Sequence, residues 1–398
     1  MEEAPISRLP TEILHEIFSM AAAVPSEELA TLASDYAPWV LGHVCERWRA
    51  AAISHASIWS TISIRRNRPP PIALLDRQLQ LSADVPLTIL FYQSENERCI
   101  GLFEALVARS RRWSQLSVTL LQDASPFLKA LERVRGQIPI LRTLALEGWA
   151  TTTGNPFAFE VAPELEDVTL RFRPLPIIPW RQLTRLSVTC SFSSLLPVLE
   201  LAQNVTELTV HLLDHSALSD SPQRIHMPLV SRCLLFHRRI MDVLVLPQLE
   251  IFIIEPDTAA ALVPLLQRSS CSLKKLGLYG HCSMDTVTTV LQACPALAEI
   301  TVVCLEGTAY LDVLIAHLSK RTLPNDESTL AVPDLKRIFM MADSIDQARF
   351  VDMVESRWRI PDSSHRLEQV TVLLNEKWDS TSLRRLSVLQ NEGMEVMT

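Results

Sequence analysis

From residue 113 onward one short pattern keeps returning: an apolar residue, two others, an apolar residue, one other, and a third apolar residue. It begins at Trp113, Leu141, Leu165, Leu183, Val205, Leu249, Leu273, Leu297, Leu335 and Leu367, with a degenerate copy from Leu229 to Leu234. The pattern alone is cheap, because with about a third of residues aliphatic, chance supplies on the order of 15 matches in a chain this long. The spacing is not cheap. Starts recur at steps that cluster near about 24 residues, and helical stretches at 122–136, 193–203, 257–268, 284–294, 308–320 and 346–358 fall between them. A similar strand is predicted over Val85–Phe91, after a helix over 72–82. Leu383, Leu386 and Val388 also fit the pattern but sit in a helix-like run, 380–391, closed by Gly393, with a last short strand at 394–397.

One strand and one helix per 20–29 residues resembles the leucine-rich repeat. Period-2 alternation turns the apolar triplet inward and the residues between it outward. No single repeat buries its inner face, so the repeats must stack. The expected fold is α/β: an N-terminal helical block over 1–64, a Pro-rich linker and helix over 65–84, and an irregular solenoid over 85–398. Its parallel strands would line a concave face and its helices a convex one. The basic cluster Arg65-Arg66-Asn67-Arg68, followed by prolines 69–71, reads as a solvated, stiff joint.

The N-terminal block carries its own signature. Pro10 suits the first position of a helix, with Glu12 and Glu16 near its positive end. Ile13, Leu14, Ile17, Phe18 and Ala21 fall on one face. A second helix is predicted from Trp39 through Arg49. The order Leu9-Pro10-Thr11-Glu12-Ile13-Leu14, Ile17-Phe18, Val44-Cys45-Glu46-Arg47-Trp48-Arg49 and Ile58-Trp59 resembles an F-box. The wording Ala37-Pro38-Trp39-Val40-Leu41-Gly42-His43-Val44-Cys45 is similar to the large F-box family of mushroom-forming fungi. The stretch from Val24 to Pro38 is longer than in the shortest F-boxes. The resemblance implies docking on a Skp-type adaptor, and through it on a cullin–RING ligase, by an apolar helix contact. The motif positions carried over are Leu9, Pro10, Ile13, Leu14, Ile17, Phe18, Val44, Cys45 and Trp48, with Trp48 and Trp59 expected in the core. The copies Leu273, Leu276, Leu278, Cys282 and Cys294, Leu297, Ile300, Val302, Cys304 resemble the cysteine-containing repeats found behind F-boxes.

Composition removes several classes of chemistry. Only 9 glycines occur in 398 residues, and none form G-x-G-x-x-G or G-x-x-x-x-G-K, so phosphate loops of those kinds are excluded. A net charge of −8 argues against general nucleic-acid binding. Glu2 and Glu3 open the chain where a signal peptide would be basic, and no apolar run reaches spanning length. The 8 cysteines include no C-x-x-C pair, so reduced, mostly buried thiols in the cytoplasm or nucleus are expected. Glu12, His15 and Glu16 imitate a zinc-protease helix, but position 19 is serine. His211 and His215 flank Asp214 where a strand exits, and read as surface histidines. Cys271, His281, Cys282, Cys294 and Cys304 lie too far apart for a zinc knuckle. The sequon at Asn204 contains Val205, expected in the core. No G-x-S-x-G elbow occurs. No catalytic residue, metal or cofactor is expected.

The outward strand positions are the better candidates for binding. They include Asp167, Thr169, Arg171, Arg185, Glu207, His211, Glu255, Lys275, Tyr279, Glu299, Arg337, Phe339 and Met341. Arg171, Arg185, Lys275, Tyr279, Arg337 and Phe339 are the target-binding candidates, Tyr, Arg and Phe being the types interfaces favour. The expected function is the substrate-recognition subunit of an SCF-type ubiquitin ligase. A non-catalytic scaffold of the same architecture, without a ligase role, is the alternative.

Overall fold

The computed structural model describes residues 9–22, 32, 37–64, 70–93, 98–120, 124–149, 157–213, 224–254, 261–280, 284–304, 309–319, 332–360 and 365–398. It divides into two compact units, Met1–Cys190 and Ser191–Thr398.

The first unit opens with helices α1 (Thr11–Ala22), α2 (Leu41–Val44) and α3 (Glu46–Ser54). Then come β1 (Thr61–Ile64), α4 (Ile72–Leu81), β2 (Leu87–Tyr92), α5 (Arg98–Val107), β3 (Trp113–Leu120) and α6 (Ser125–Leu131). Strands β4 (Thr143–Trp149), β5 (Asp167–Arg173) and β6 (Arg185–Cys190) complete it. The six strands pair parallel and in chain order. Helices α4, α5 and α6 pack side by side. Their core is aromatic, with Phe103 4.7 Å from Phe91 and 5.4 Å from Phe127, and Trp113 at the start of β3 is fully buried.

The second unit runs α7 (Phe192–Leu201), β7 (Glu207–Leu212), β8 (Ile225–His226), β9 (Arg232–Leu235), α8 (Arg238–Met241), β10 (Leu244–Val245) and β11 (Ile251–Ile254). It continues through α9 (Leu262–Ser269), β12 (Lys275–Tyr279), α10 (Met284–Ala293), β13 (Glu299–Cys304) and α11 (Ala309–Ser319). It closes with β14 (Arg337–Ala342), α12 (Gln347–Trp358), β15 (Gln369–Leu374), α13 (Ser380–Asn391) and β16 (Glu395–Met397). Strands β7, β9 and β11 to β16 form a parallel sheet, and β8 pairs with β10 apart from it. Helices α9 to α13 pack in succession.

Every repeat start named above precedes a strand by two residues, apart from Trp113, which opens its strand, and the degenerate copy, whose strand opens at Arg232. The alternation is kept. In β13 and β14 the buried set is Ile300, Val302, Cys304, Ile338, Met340 and Ala342, while the residues between them stay half-buried or exposed. Burying each large apolar side chain contributes roughly 1.5–3 kcal/mol, so stacking is where the stability lies. The expected α/β, solenoid-like arrangement of strands and helices is present in both units.

Two local expectations are corrected. The predicted second helix is broken: Cys45 is extended (φ −159°, ψ 172°), and its Sγ accepts the Trp48 N–H at 3.4 Å to cap α3. Pro10 precedes α1, and its carbonyl accepts the Leu14 N–H. The block assigned to 1–64 also shares its last residues with the sheet. Strand β1 pairs with β2, and the buried Gln78 of α4 donates to the carbonyls of Trp59 (3.2 Å) and Thr61 (2.7 Å). Residues 65–69, Glu255, Asp214, His215, His281 and Cys282 lie outside the described residues.

Gly148 in β4 has φ +145°, and a Cβ there would strike the carbonyl of Leu120 on β3. Gly148→Ala is therefore expected to destabilise the first unit by about 2 kcal/mol or more, seen as a lower urea midpoint.

Candidate functional site

Helix α1 presents two parallel stripes. Leu14 and Phe18 are fully buried, in a cluster with Leu41, Ala51, Ala52, Ile58 and Trp59. Ile13, Ile17 and Met20, spaced by four and three residues, are 46%, 37% and 72% exposed. Three large apolar side chains exposed at helical spacing make this stripe the candidate contact surface, since they gain little from the protein's own core. Val40 and Val44 on the neighbouring segment are also exposed, Val44 by 58%.

The cluster fixes this surface. Trp59 donates Nε1–H to the carbonyl of Ala52 at 2.7 Å and meets Trp39 edge-on at 5.0 Å. Trp48 is half-buried, 5.1 Å from Phe18. Leu9 packs on the cluster, and its carbonyl accepts from Arg47. Arg49 Nε donates to the Gly42 carbonyl at 2.8 Å, tying α3 to α2 across the Cys45 break. His15 stacks on His55 at 4.3 Å, and His55 hydrogen-bonds Ser19 at 2.8 Å, fastening α1 to the residue after α3. Burial, then the neighbouring His15, lowers the His55 pKa, against a smaller upward pull from Glu16. The folded state thus favours the neutral ring.

Of the nine motif residues, the structure places Pro10, Ile13, Ile17, Val44 and Cys45 at the surface. Leu9 and Trp48 are partly covered. Leu14 and Phe18 are corrected to core, because their stripe faces α3 and the turn before β1. Met20, Val40 and Ile53 are exposed apolar residues that the motif did not single out. Periodicity marks Met20 only as apolar, and burial alone reveals its side.

Residues 6–65 match the family model for F-box-like domains. The N-terminal block is an F-box-like domain. No curated protein matches the chain.

Cys45 lies exposed at the end of this F-box-like surface, whereas Cys233 and Cys294 are buried. Burial pushes the Cys294 thiol up to about 12, and raises Cys233 as well. Iodoacetamide at neutral pH is expected to label Cys45 in the native protein and to spare Cys233 and Cys294, with peptide mass spectrometry as the readout.

Many outward strand positions are charged, and those charges are paired across strands. In the first unit Arg171 lies 3.8 Å from Glu147, and Arg185 lies 2.9 Å from Asp167. In the second, Glu299 receives both Lys275 (2.7 Å) and Arg337 (3.1 Å), and Lys336 meets Glu368 at 2.7 Å. Arg171, Arg185, Lys275 and Arg337 thus sit at the surface as expected, each already engaged. Such exposed pairs contribute about 0–1 kcal/mol each. Their larger effect is to cancel charge that would otherwise attract a phosphate. Tyr279 is 40% exposed, and with Ile253 it fills the space beside Gly277, where a Cβ would lie 3.0 Å from Ile253 and 3.2 Å from Tyr279. Phe339 is half-buried on β14. His211, expected as a surface histidine, is half-buried and stacked on Phe236 at 3.9 Å.

Proposed function

We propose that this chain is the substrate-recognition subunit of an SCF-type ubiquitin ligase, built from a Skp-type adaptor, a cullin and a RING subunit. The observation that carries this reading is the uncovered Ile13–Ile17–Met20 stripe on a domain that matches the F-box-like family. An adaptor helix laid along that stripe buries it, with Pro10, Val44 and Cys45 at the margin and Leu9, Leu14, Phe18 and Trp48 holding the helices from behind. The repeats, read as leucine-rich, hold the target on their outward strand positions, among them Tyr279, Arg337 and Phe339. The chain supplies proximity: it holds a target lysine near a charged conjugating enzyme, so a bimolecular encounter becomes local. This reading places the protein in the cytoplasm or nucleus.

The test is co-expression of the full chain with a Skp-type adaptor, followed by size exclusion and by target turnover in cells. A 1:1 complex and slowed turnover on depletion support the ligase reading. A complex without any effect on turnover supports the scaffold instead. A folded chain that forms no complex overturns both.

A further inference from the structure

We propose that a cleft of about 420 Å³ at the start of β14, β15 and β16 binds the C-terminal residue of a peptide when that residue is lysine or arginine. Its position rests on the reading of the second unit as a target-binding part. Its chemistry rests on the charges that line it.

Arg337, Gln369 and Glu395, the first residues of the three strands, line the cleft together with Trp358, Arg366 and Glu368. Arg366 is anchored from behind: its Nε donates to the Ile360 carbonyl at 2.9 Å, and its guanidinium lies 5.8 Å from the Trp358 ring centre. Trp358 is itself held by Nε1–H donating to Glu392 at 2.8 Å. Among the described residues no carboxylate pairs with Arg366. Its terminal nitrogens form the planar fork that suits a carboxylate. Arg337 adds a second cation to the lining, at the start of β14, and its partner Glu299 also serves Lys275.

The opposite sign is present as well. Glu368 is neutralised by Lys336 at 2.7 Å, but Glu395 has no ion-pair partner among the described residues. Arg366 and Glu395, neither ion-paired among the described residues, give the one cleft a cation and an anion that suit a ligand carrying both charges. A chain ending in a basic residue carries a terminal carboxylate for Arg366 and a side-chain cation for Glu395, and Gln369 can meet its last amide. The volume lies toward the lower end of the range for small-ligand sites, enough for a terminal residue and its neighbour.

The test uses the full chain and a fluorescein-labelled peptide, Gly-Ser-Gly-Ala-Ala-Lys, followed by anisotropy. The free acid is expected to bind, and both C-terminal amidation and replacement of the last residue by glutamate to weaken binding at least tenfold. Arg366→Gln should weaken it at least tenfold. Glu395→Lys, at an exposed position with no side-chain partner among the described residues, should shift preference to the glutamate-ending peptide, and it keeps the test alive if Arg366→Gln misfolds. Equal binding of acid and amide overturns the proposal, as does no binding of the lysine-ending acid at 1 mM. Free lysine that displaces the peptide at matching concentration would overturn the peptide reading in favour of a free amino acid. Adaptor binding measured on the same sample tells failure of this site apart from failure of the ligase reading.

Discussion

Replacing Ile13 and Ile17 together with aspartate leaves the protein folded and removes binding to a Skp-type adaptor, with affinity falling about 1,000-fold or more. Both side chains are already largely in water, at 46% and 37% exposure, so the folded state loses little apolar burial. In the complex the same positions would place two carboxylates in a desolvated, apolar contact without partners. Each such defect costs about 2 kcal/mol or more at the centre of an interface, and 1.4 kcal/mol is a factor of ten. The control is Phe18→Ala, the residue next to Ile17 but on the buried stripe. It should cost about 3–5 kcal/mol of folding stability and lose binding only through unfolding. A thermal melt and a binding isotherm on each variant separate the two stripes. Wild-type affinity in the folded double aspartate variant would remove this face of α1 from the interface.

Arg357→Ala is expected to destabilise the second unit by about 3–5 kcal/mol, read as a lower urea midpoint. Arg357 is fully buried. Its Nε donates to the Leu318 carbonyl at 2.8 Å, and one terminal nitrogen donates to the Val332 carbonyl at 3.0 Å. It therefore joins the end of α11 to the residues before β14, across the longest step in the repeat. Val332 has φ +56°, a conformation costly for a β-branched residue, so it needs an outside constraint. Burial pulls the guanidinium pKa down to about 10, so the group stays charged at neutral pH. Truncation leaves two buried carbonyls without these donors and opens a cavity beside α12. Arg357→Met, which refills the volume but not the donors, should recover only part of the loss. Equal midpoints for wild type and Arg357→Ala would sink this account.

The strands were legible because period-2 alternation fixes inside and outside, and because most motif starts lead their strand by two residues. Helix α13 was separable from a strand by its length and the glycine after it. The candidate site was legible only in part, for a physical reason. Core and interface both ask for apolar side chains, so Ile13 and Leu14 look alike in the sequence and differ only in what α3 covers. The break at Cys45 was hidden because the residues on either side favour helix. The pairings of Arg185 with Asp167 and of Arg337 with Glu299 depend on strand register, which no local window contains. The cleft was missed for the same reason: Trp358 ends a helix, Arg366 precedes a strand, and only the fold brings them together.

Strand β1 belongs to the sheet of the first unit, although it follows the F-box-like helices directly. Any swivel about residues 65–71 would have to peel β1 from β2 and break both hydrogen bonds from Gln78. In an assembled ligase the adaptor would then grip the first repeats through a short splint rather than a tether. The reach of those repeats becomes a matter of lever length and not of chain slack. On the function proposed above, target lysines would be sorted by where they sit in space.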